Sequence, residues 1–339
     1  MSRIPREIIQ TNDLLSVARQ IQSYCSPTFG LEEYQSEICR KNPSHIQILI
    51  KASKLALTEC QRIFKNDRWQ CNPQTRGNQS LFSYILNYRN EHCNSSLANK
   101  ETAFLNALST AALHYTLAED CKEGRLPRDC GCSIGPPSEY MHGEWAWKGC
   151  GDNVEYGEEF SRLFTQGGKK SEYDLVRRRN CGIGIKVVKE TTTVHCDCLG
   201  KGGKCEAKTC WQKLPAFQVV GNRIQELYDS AVQVVEVGGG LRTHFPTDVM
   251  REDTLVYVEG SPNYCERFED YGIEGVVGRE CNPKNESRLD LPYCHKLCCG
   301  RGFERQEITK AENCNCRFVW CCRVECDTCT TTKVAYYCL

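Results

Sequence analysis

The 339-residue chain has no long apolar run, and nothing in it approaches the roughly 20 apolar residues that cross a bilayer. No membrane insertion is therefore expected. The first ten residues, Met1-Ser-Arg-Ile-Pro-Arg-Glu-Ile-Ile-Gln10, also lack the apolar segment of a secretory leader. Net charge is missing as well: 43 Lys and Arg balance 43 Asp and Glu, so no general attraction to nucleic acid is expected. Histidine is sparse, seven residues scattered without metal-ligand spacing, and there is neither a nucleophile–base pair nor a Gly-rich phosphate loop. Asp152-Asn153 and Glu158-Glu159 read as caps and exposed helix faces rather than as paired catalytic acids. The expectation is a protein that is no enzyme and holds no cofactor and no metal.

Cysteine, by contrast, is abundant: 26 residues, of which seven fall between Cys314 and Leu339. Such usage belongs to oxidising compartments, because cytosolic thiols are kept reduced. It outweighs the missing leader, so a secreted, extracellular protein with an incomplete start is expected. Three sequons, at Asn78, Asn94 and Asn285, fit a glycosylated surface. The bland alternative is an intracellular protein with reduced or zinc-bound thiols, seeded by Cys326-x-x-Cys329 and Cys196-x-Cys198. Against it, C-x-x-C pairs do not repeat at zinc-finger spacing. Locally the charge is uneven. From Lys169 to Lys213 eleven Lys or Arg face five Asp or Glu, and Arg177-Arg178-Arg179 is the sharpest cluster. In an extracellular protein that cluster suits a sulfated glycan such as heparan sulfate, or simply a solvated helix face.

The first half reads as helical. Apolar residues at 3–4 spacing predict helices over 44–60, 100–121, 154–164, 172–195 and 216–236. In the second of these, Phe104, Leu108, Ala111, Tyr115 and Ala118 form one core-facing stripe. Gly238-Gly239-Gly240 and the polar run behind it read as a linker. The predicted organisation is a helical domain over 1–237, a linker over 238–253 and a cysteine-rich domain over 254–339. Fourteen cysteines precede the linker and twelve follow it, so each half can close its own bridges. In the last domain, short alternating segments and bridges replace a core that so few residues cannot build.

Within that domain Phe318, Val319 and Trp320 precede the adjacent pair Cys321-Cys322. In a strand Phe318 and Trp320 would share a face, and a bond between adjacent cysteines would require a turn. A rigid tip of this composition suits a binding hot spot. The alternative is that Trp320 packs into the base of its own hairpin.

The pattern Cys314-x-Cys316-x-Phe318-x-Trp320-Cys321-Cys322-x-Val324-x-Cys326-x-x-Cys329 with a final Cys338 resembles the C-terminal signature of the Wnt family. The resemblance continues through Glu59-Cys60, Arg68-Trp69-Gln70-Cys71, Glu101-Thr102-Ala103-Phe104 and Trp145-Ala-Trp147-Lys-Gly149-Cys150-Gly-Asp152-Asn153. It includes Cys196-Asp-Cys198, Lys208-Thr209-Cys210-Trp211 and Ser261-Pro262-Asn263-Tyr264-Cys265. The family implies a disulfide-rich α+β fold: a helical N-terminal domain with a cysteine-clasped thumb hairpin, about 196–210, and a small β-hairpin C-terminal domain with an index finger, about 314–329. It also implies the bridges Cys25–Cys39, Cys60–Cys71, Cys121–Cys130, Cys132–Cys150, Cys196–Cys210 and Cys198–Cys205. In the second domain it implies Cys265–Cys299, Cys281–Cys294, Cys298–Cys338, Cys314–Cys329, Cys316–Cys326 and Cys321–Cys322. Cys93 and Cys181 are left over.

One departure matters most. Wnts carry a thumb-tip Cys-His-Gly-x-Ser-Gly-Ser-Cys whose first serine bears a fatty acyl chain that fills a groove on the Frizzled cysteine-rich domain. Here the segment reads Cys198-Leu199-Gly200-Lys201-Gly202-Gly203-Lys204-Cys205. Gly202 occupies the acceptor position and Lys204 that of the second serine, so the loop offers no hydroxyl for an ester. The resemblance thus implies a secreted, developmental signalling ligand of a non-acylated, WntD-like type. Its receptor contact would shift to Phe318, Val319, Trp320, Cys321 and Cys322, with Lys201 and Lys204 at the thumb tip. Frizzled and an LRP-type co-receptor are the expected partners; an antagonist that occupies Frizzled as a decoy is the alternative.

Overall fold

In the computed structural model the described residues are 24–26, 31–71, 98–126, 130–134, 146–167, 172–200, 207–268, 273–284 and 291–339. They belong to two units, one of Met1–Ile63 with Pro73–Ser261, the other of Phe64–Asn72 with Pro262–Leu339.

The larger unit is built around one helix. Its helices are α1 (Glu33–Lys41), α2 (Ile46–Ile63), α3 (Lys100–Lys122), α4 (Val154–Gln166), α5 (Glu172–Thr191) and α6 (Phe217–Asp229). A 3₁₀ turn, Pro43–His45, leads into α2. Asn99 caps α3, its side chain accepting from Thr102 N at 2.8 Å. The apolar stripe read from α3 covers only part of what is buried. Phe104, Leu105, Leu108, Leu113 and Leu117 are all buried, because α2, α4, α5 and α6 pack around the helix on every side. A helix that is buried all round is a core element. Two glycines permit these close crossings. A Cβ on Gly184 of α5 would lie 2.1 Å from the Ala107 carbonyl oxygen, and one on Gly157 of α4 would lie 2.6 Å from that of His114.

Two of the helices end earlier than the periodicity predicts. α5 stops at Thr191 and α6 at Asp229, and each leads into a strand, β4 (Thr193–Leu199) and β6 (Val232–Val237). Runs of β-branched residues, Thr191 to Val194 and Val232 to Val237, favour the extended chain there. The glycine linker is also replaced by ordered structure. β6 pairs with β7 (Gly240–Thr243), Val237 opposite Gly240, and Gly238 and Gly239 turn the chain with φ of 63° and 79°. Two residues at positive φ form the hairpin loop that matches strand twist. β8 (Val256–Tyr257) pairs in parallel on the other edge of β6. Residues 238–253 therefore belong to the helical unit, and the division falls at Ser261–Pro262.

His114 of α3 sits at the centre of this unit, fully buried, its Nε2–H donating to the Val154 carbonyl at 2.8 Å. Burial holds its pKa down to about 4. The unfolded ring titrates near 6.5, so the stability its neutral form contributes is complete above that pH and is lost as pH falls toward 4, about 3 kcal/mol in all. Urea midpoints are expected to drop between pH 7.5 and pH 4.5. A midpoint that stays constant over this range would exclude His114 as an acid-labile group.

The smaller unit packs sulfur where other proteins pack hydrocarbon. Its elements are β9 (Glu280–Cys281), α7 (Cys294–Leu297), β10 (Phe303–Val319) and β11 (Arg323–Cys338). Val276, Leu297 and Cys281, Cys294, Cys298 and Cys338 make the core. Bridges Cys265–Cys299, Cys281–Cys294 and Cys298–Cys338 cross it. Residues 64–72 are fastened by Arg279, which donates to Asp67 O at 2.9 Å, and by Arg68, which donates to Lys296 O at 2.7 Å. The sulfurs of Cys281, Cys298 and Cys338 lie within 4.8 Å of one another. All three are in bridges, so they have no thiolate to offer a zinc ion.

Candidate receptor-binding site

The finger is a ribbon of two antiparallel strands, β10 and β11, in register from Phe303 opposite Cys338 to Val319 opposite Arg323. Most of its residues are exposed on both faces. A two-stranded hairpin is marginal in water, and its exposed ion pairs, such as Arg305–Glu307, add little. Covalent rungs hold it instead: Cys314–Cys329, with Cα atoms 5.7 Å apart, and Cys316–Cys326, with Cα atoms 4.0 Å apart. Between them β10 shifts register at Cys314–Arg317, where Asn315 takes φ of 48°. Such a bulge bends the strand and adds twist.

Above the last rung the ribbon ends in Trp320-Cys321-Cys322. Trp320 is 90 % exposed, Phe318 71 % and Val324 64 %, so Trp320 is not buried in the base of the hairpin. β10 ends at Val319, which is half-buried. Trp320 thus lies in the turn rather than on a strand face shared with Phe318, and Phe318 faces Val324 across the ladder. Cys321 and Cys322 both hold positive φ, 74° and 82°, a conformation that costs of order 1–3 kcal/mol per non-glycine residue. The bridge expected between them is open: both are exposed thiols with Sγ atoms 3.9 Å apart.

The thumb is a second antiparallel hairpin, β4 with β5 (Ala207–Lys213), and β2 (Ala146–Lys148) lies parallel on the outer edge of β5. Cys196 stands directly opposite Cys210 and is bonded to it, with Cα atoms 4.1 Å apart. Cys198 is also in a disulfide. Lys201, Gly202, Lys204 and Cys205 lie outside the described residues. The base of the thumb is fixed by Asp152, which sequence alone suggested was a cap. Its Oδ2 accepts from Leu214 N at 2.8 Å, and its N–H donates to Gln212 O at 3.0 Å. The neighbouring Asn153 is the cap of α4, accepting from Tyr156 N at 3.0 Å.

The other candidate residues divide clearly. Cys25–Cys39 and Cys121–Cys130 are bonded, and Cys60 and Cys71 are each in a disulfide. Cys132 and Cys150, expected as a bridge, are thiols within hydrogen-bond reach of each other. In β1 (Ser133–Ile134) on β3 (Cys150–Gly151), Ile134 stands opposite Cys150. Cys181 is a buried thiol beside the hydroxyls of Thr110 and Thr165. Cys93, Asn78, Asn94 and Asn285 lie outside the described residues.

The basic triplet is not an open glycan-binding face. Arg177 pairs with Glu32 at 2.7 Å with its side chain 13 % exposed, and Arg178 is half-buried. Arg179 donates to the carbonyls of Thr254 and Arg251. The guanidiniums of Arg177 and Arg179 tie α5 to distant chain segments.

The described residues thus form a two-unit fold rich in disulfides with an exposed apolar finger tip. The Wnt family model matches residues 28–339. Protein Wnt-5b of Mus musculus is 34 % identical over 333 residues, covering 94 % of this chain and 88 % of its own length. Protein Wnt-5a of Homo sapiens is 33 % identical over 335 residues, covering 94 % and 83 %. The solved structure of human WLS in complex with WNT8A matches with 30 % identity and a TM-score of 0.56, over 87 % of this chain and 94 % of that one. The chain belongs to the Wnt family of secreted signalling ligands.

Proposed function

We propose that this chain is a WntD-like Wnt that carries no acyl chain on its thumb, diffuses freely, and engages a Frizzled-type cysteine-rich domain mainly through its finger tip. The observation that carries this reading is Trp320, 90 % exposed on a ribbon stiffened by two bridges. A large aromatic held in water by a rigid support is the composition of a hot spot waiting for a partner. The thumb loop from Cys198 to Cys205 contributes no hydroxyl, so an oxygen ester has nowhere to form. Each methylene of a missing acyl chain removes about 0.8 kcal/mol of burial energy, which leaves the finger as the main source of affinity.

The test is detergent-free binding of the secreted chain, fused to a signal peptide, to a panel of purified Frizzled cysteine-rich domains. Saturable binding without detergent is expected; no binding to any domain by fully folded protein would overturn the reading. Intact mass of the same material is expected to show no acyl adduct. Gly202→Ser is expected to leave the protein unacylated, because Leu199 and Lys204 also depart from the family's loop. An acyl adduct on the unsubstituted chain would contradict the proposal. A reporter assay with an LRP-type co-receptor then separates agonist from decoy.

A further inference from the structure

We propose that the receptor footprint continues from the finger tip down one face of the ribbon, the face that carries Phe318, Val324, Thr328, Thr330 and Thr332. The occupant is the Frizzled-type cysteine-rich domain, so the inference rests on the function proposed above. It adds which side of the finger that domain covers and what chemistry the covering surface has.

The two faces of the ribbon follow from its register. Thr309 stands opposite Thr332, Ala311 opposite Thr330 and Asn313 opposite Thr328. Side chains alternate along a strand, so these residues share one face. In a regular β10 Phe318 would fall on the other face. The bulge between Cys314 and Arg317 adds one residue to β10, and such a shift exchanges the faces of everything beyond it. Phe318 thereby comes to stand opposite Val324, on the same side as the threonines, with the Cys316–Cys326 bridge between.

From Thr309 to Phe318 this face carries no charge. The charges lie on the other one: Lys310, Glu312, Arg317, Glu325, Asp327 and Lys333, with the pairs Lys310–Glu312 and Arg323–Glu325 running along it. At its lower end the uncharged face is the one that covers the sulfur core, where Phe303, Tyr336 and Cys338 pack. Arg305 and Glu307, paired with each other, interrupt it once. Past them the face is exposed at Thr309, Ala311, Asn313, Thr328, Thr330 and Thr332, and it runs without a break into the tip.

Area decides how far the footprint must reach. Trp320 and Phe318 can bury about 150–250 Å² each, roughly half of the share of about 800 Å² that one partner gives to a standard interface. Without an acyl chain the finger itself supplies the remainder. The face from Val324 to Val334 is about 34 Å long and about 10 Å wide, and it adds roughly 300 Å². Covering the opposite face instead would strip water from ionised side chains. Covering this one asks only for hydrogen bonds to threonine hydroxyls. A two-stranded ribbon twists strongly, so the surface that fits it is an uncharged, polar-lined groove.

The experiment compares two neighbouring threonines in the full secreted chain. Thr330 and Thr331 are both exposed but lie on opposite faces, so lysine at either position changes charge and composition identically. Thr330→Lys is expected to weaken binding to the cysteine-rich domain at least about 10-fold, and Thr331→Lys less than about twofold. Thr330→Val keeps the β-branched shape without a charge and is expected to stay within about threefold of the parent. A second readout needs no variant. Ile308 and Val334 are almost equally exposed in the free chain, 39 % and 38 %, and stand on opposite faces. Hydroxyl-radical oxidation of Val334 is expected to fall at least about threefold in the complex, with that of Ile308 unchanged. Equal affinities of the two lysine variants, or equal protection of Ile308 and Val334, would overturn the face assignment. If Trp320→Ala still abolishes binding in that case, the finger-tip reading stands. No binding of the parent chain to any domain refutes the proposed function and this footprint with it.

Discussion

Trp320→Ala is expected to weaken binding to a Frizzled-type cysteine-rich domain about 100-fold, some 3 kcal/mol, while secretion and folding are unchanged. The two halves of that expectation have separate grounds. Trp320 is 90 % exposed and lies beyond the end of β10, so its ring supports nothing in the free protein. The strands beneath are set by the ladder and by Cys314–Cys329 and Cys316–Cys326, which the substitution does not touch. In a complex the same ring can lose nearly all of its water, the condition under which an aromatic becomes a hot spot. Phe318→Ala should cost less, because Phe318 is 71 % exposed and shares its face with Val324 across the ladder. A Trp320→Ala protein that binds within about twofold of the parent, a difference under about 0.5 kcal/mol, would remove the finger tip from the site.

How much of this was legible depended on whether a residue's partner is near in sequence. The helices of the larger unit announced themselves through 3–4 spacing, since α2 and α4 bury one face each. α3 did not show its central place: its periodic stripe marked one side, and the other is lined by residues such as Thr110, His114 and Thr116 that are equally buried. The finger gave the opposite difficulty. Alternating hydrophobicity marks a strand with one buried face, and β10 and β11 bury almost nothing. Strands of 17 and 16 residues therefore read as short fragments.

Three consecutive glycines have the same composition in a linker and in a hairpin turn, and only the β-branched residues of β6 beside them decided for the turn. Arg177 displays its charge in the sequence but not its partner Glu32, 145 positions away. The finger tip was legible as chemistry, an aromatic beside paired cysteines. The separation of their sulfurs was not, because it is set by backbone and side-chain torsions that no spacing records.

Gly184→Ala is expected to prevent accumulation of folded, secreted protein, or to lower its melting temperature by at least about 8 °C, the equivalent of some 4 kcal/mol in a unit of this size. The added methyl would stand 2.1 Å from the Ala107 carbonyl oxygen and 2.9 Å from the carbonyl carbon. Both atoms are backbone of α3, so no side chain can swing aside. α5 would have to move off α3, opening a gap along Ile183, Ile185, Val187 and Val188, all of which are buried. Overpacking of a rigid contact is destabilising for this reason. Two other glycines calibrate the effect. At Gly221 the nearest atoms belong to the Glu59 side chain, at 2.0 Å for its Oε1, and that carboxylate can rotate away at the cost of its pair with Arg62; Gly221→Ala should be milder. At Gly182, two residues from Gly184 on the same helix, the nearest atom is Gln166 Nε2 at 3.5 Å, an ordinary contact. Gly182→Ala should be neutral or raise stability by up to about 1 kcal/mol through helix propensity. Equal melting temperatures for Gly184→Ala and Gly182→Ala would mean that the α3–α5 crossing is not closed by glycine, and the packing described for the larger unit would need a different account.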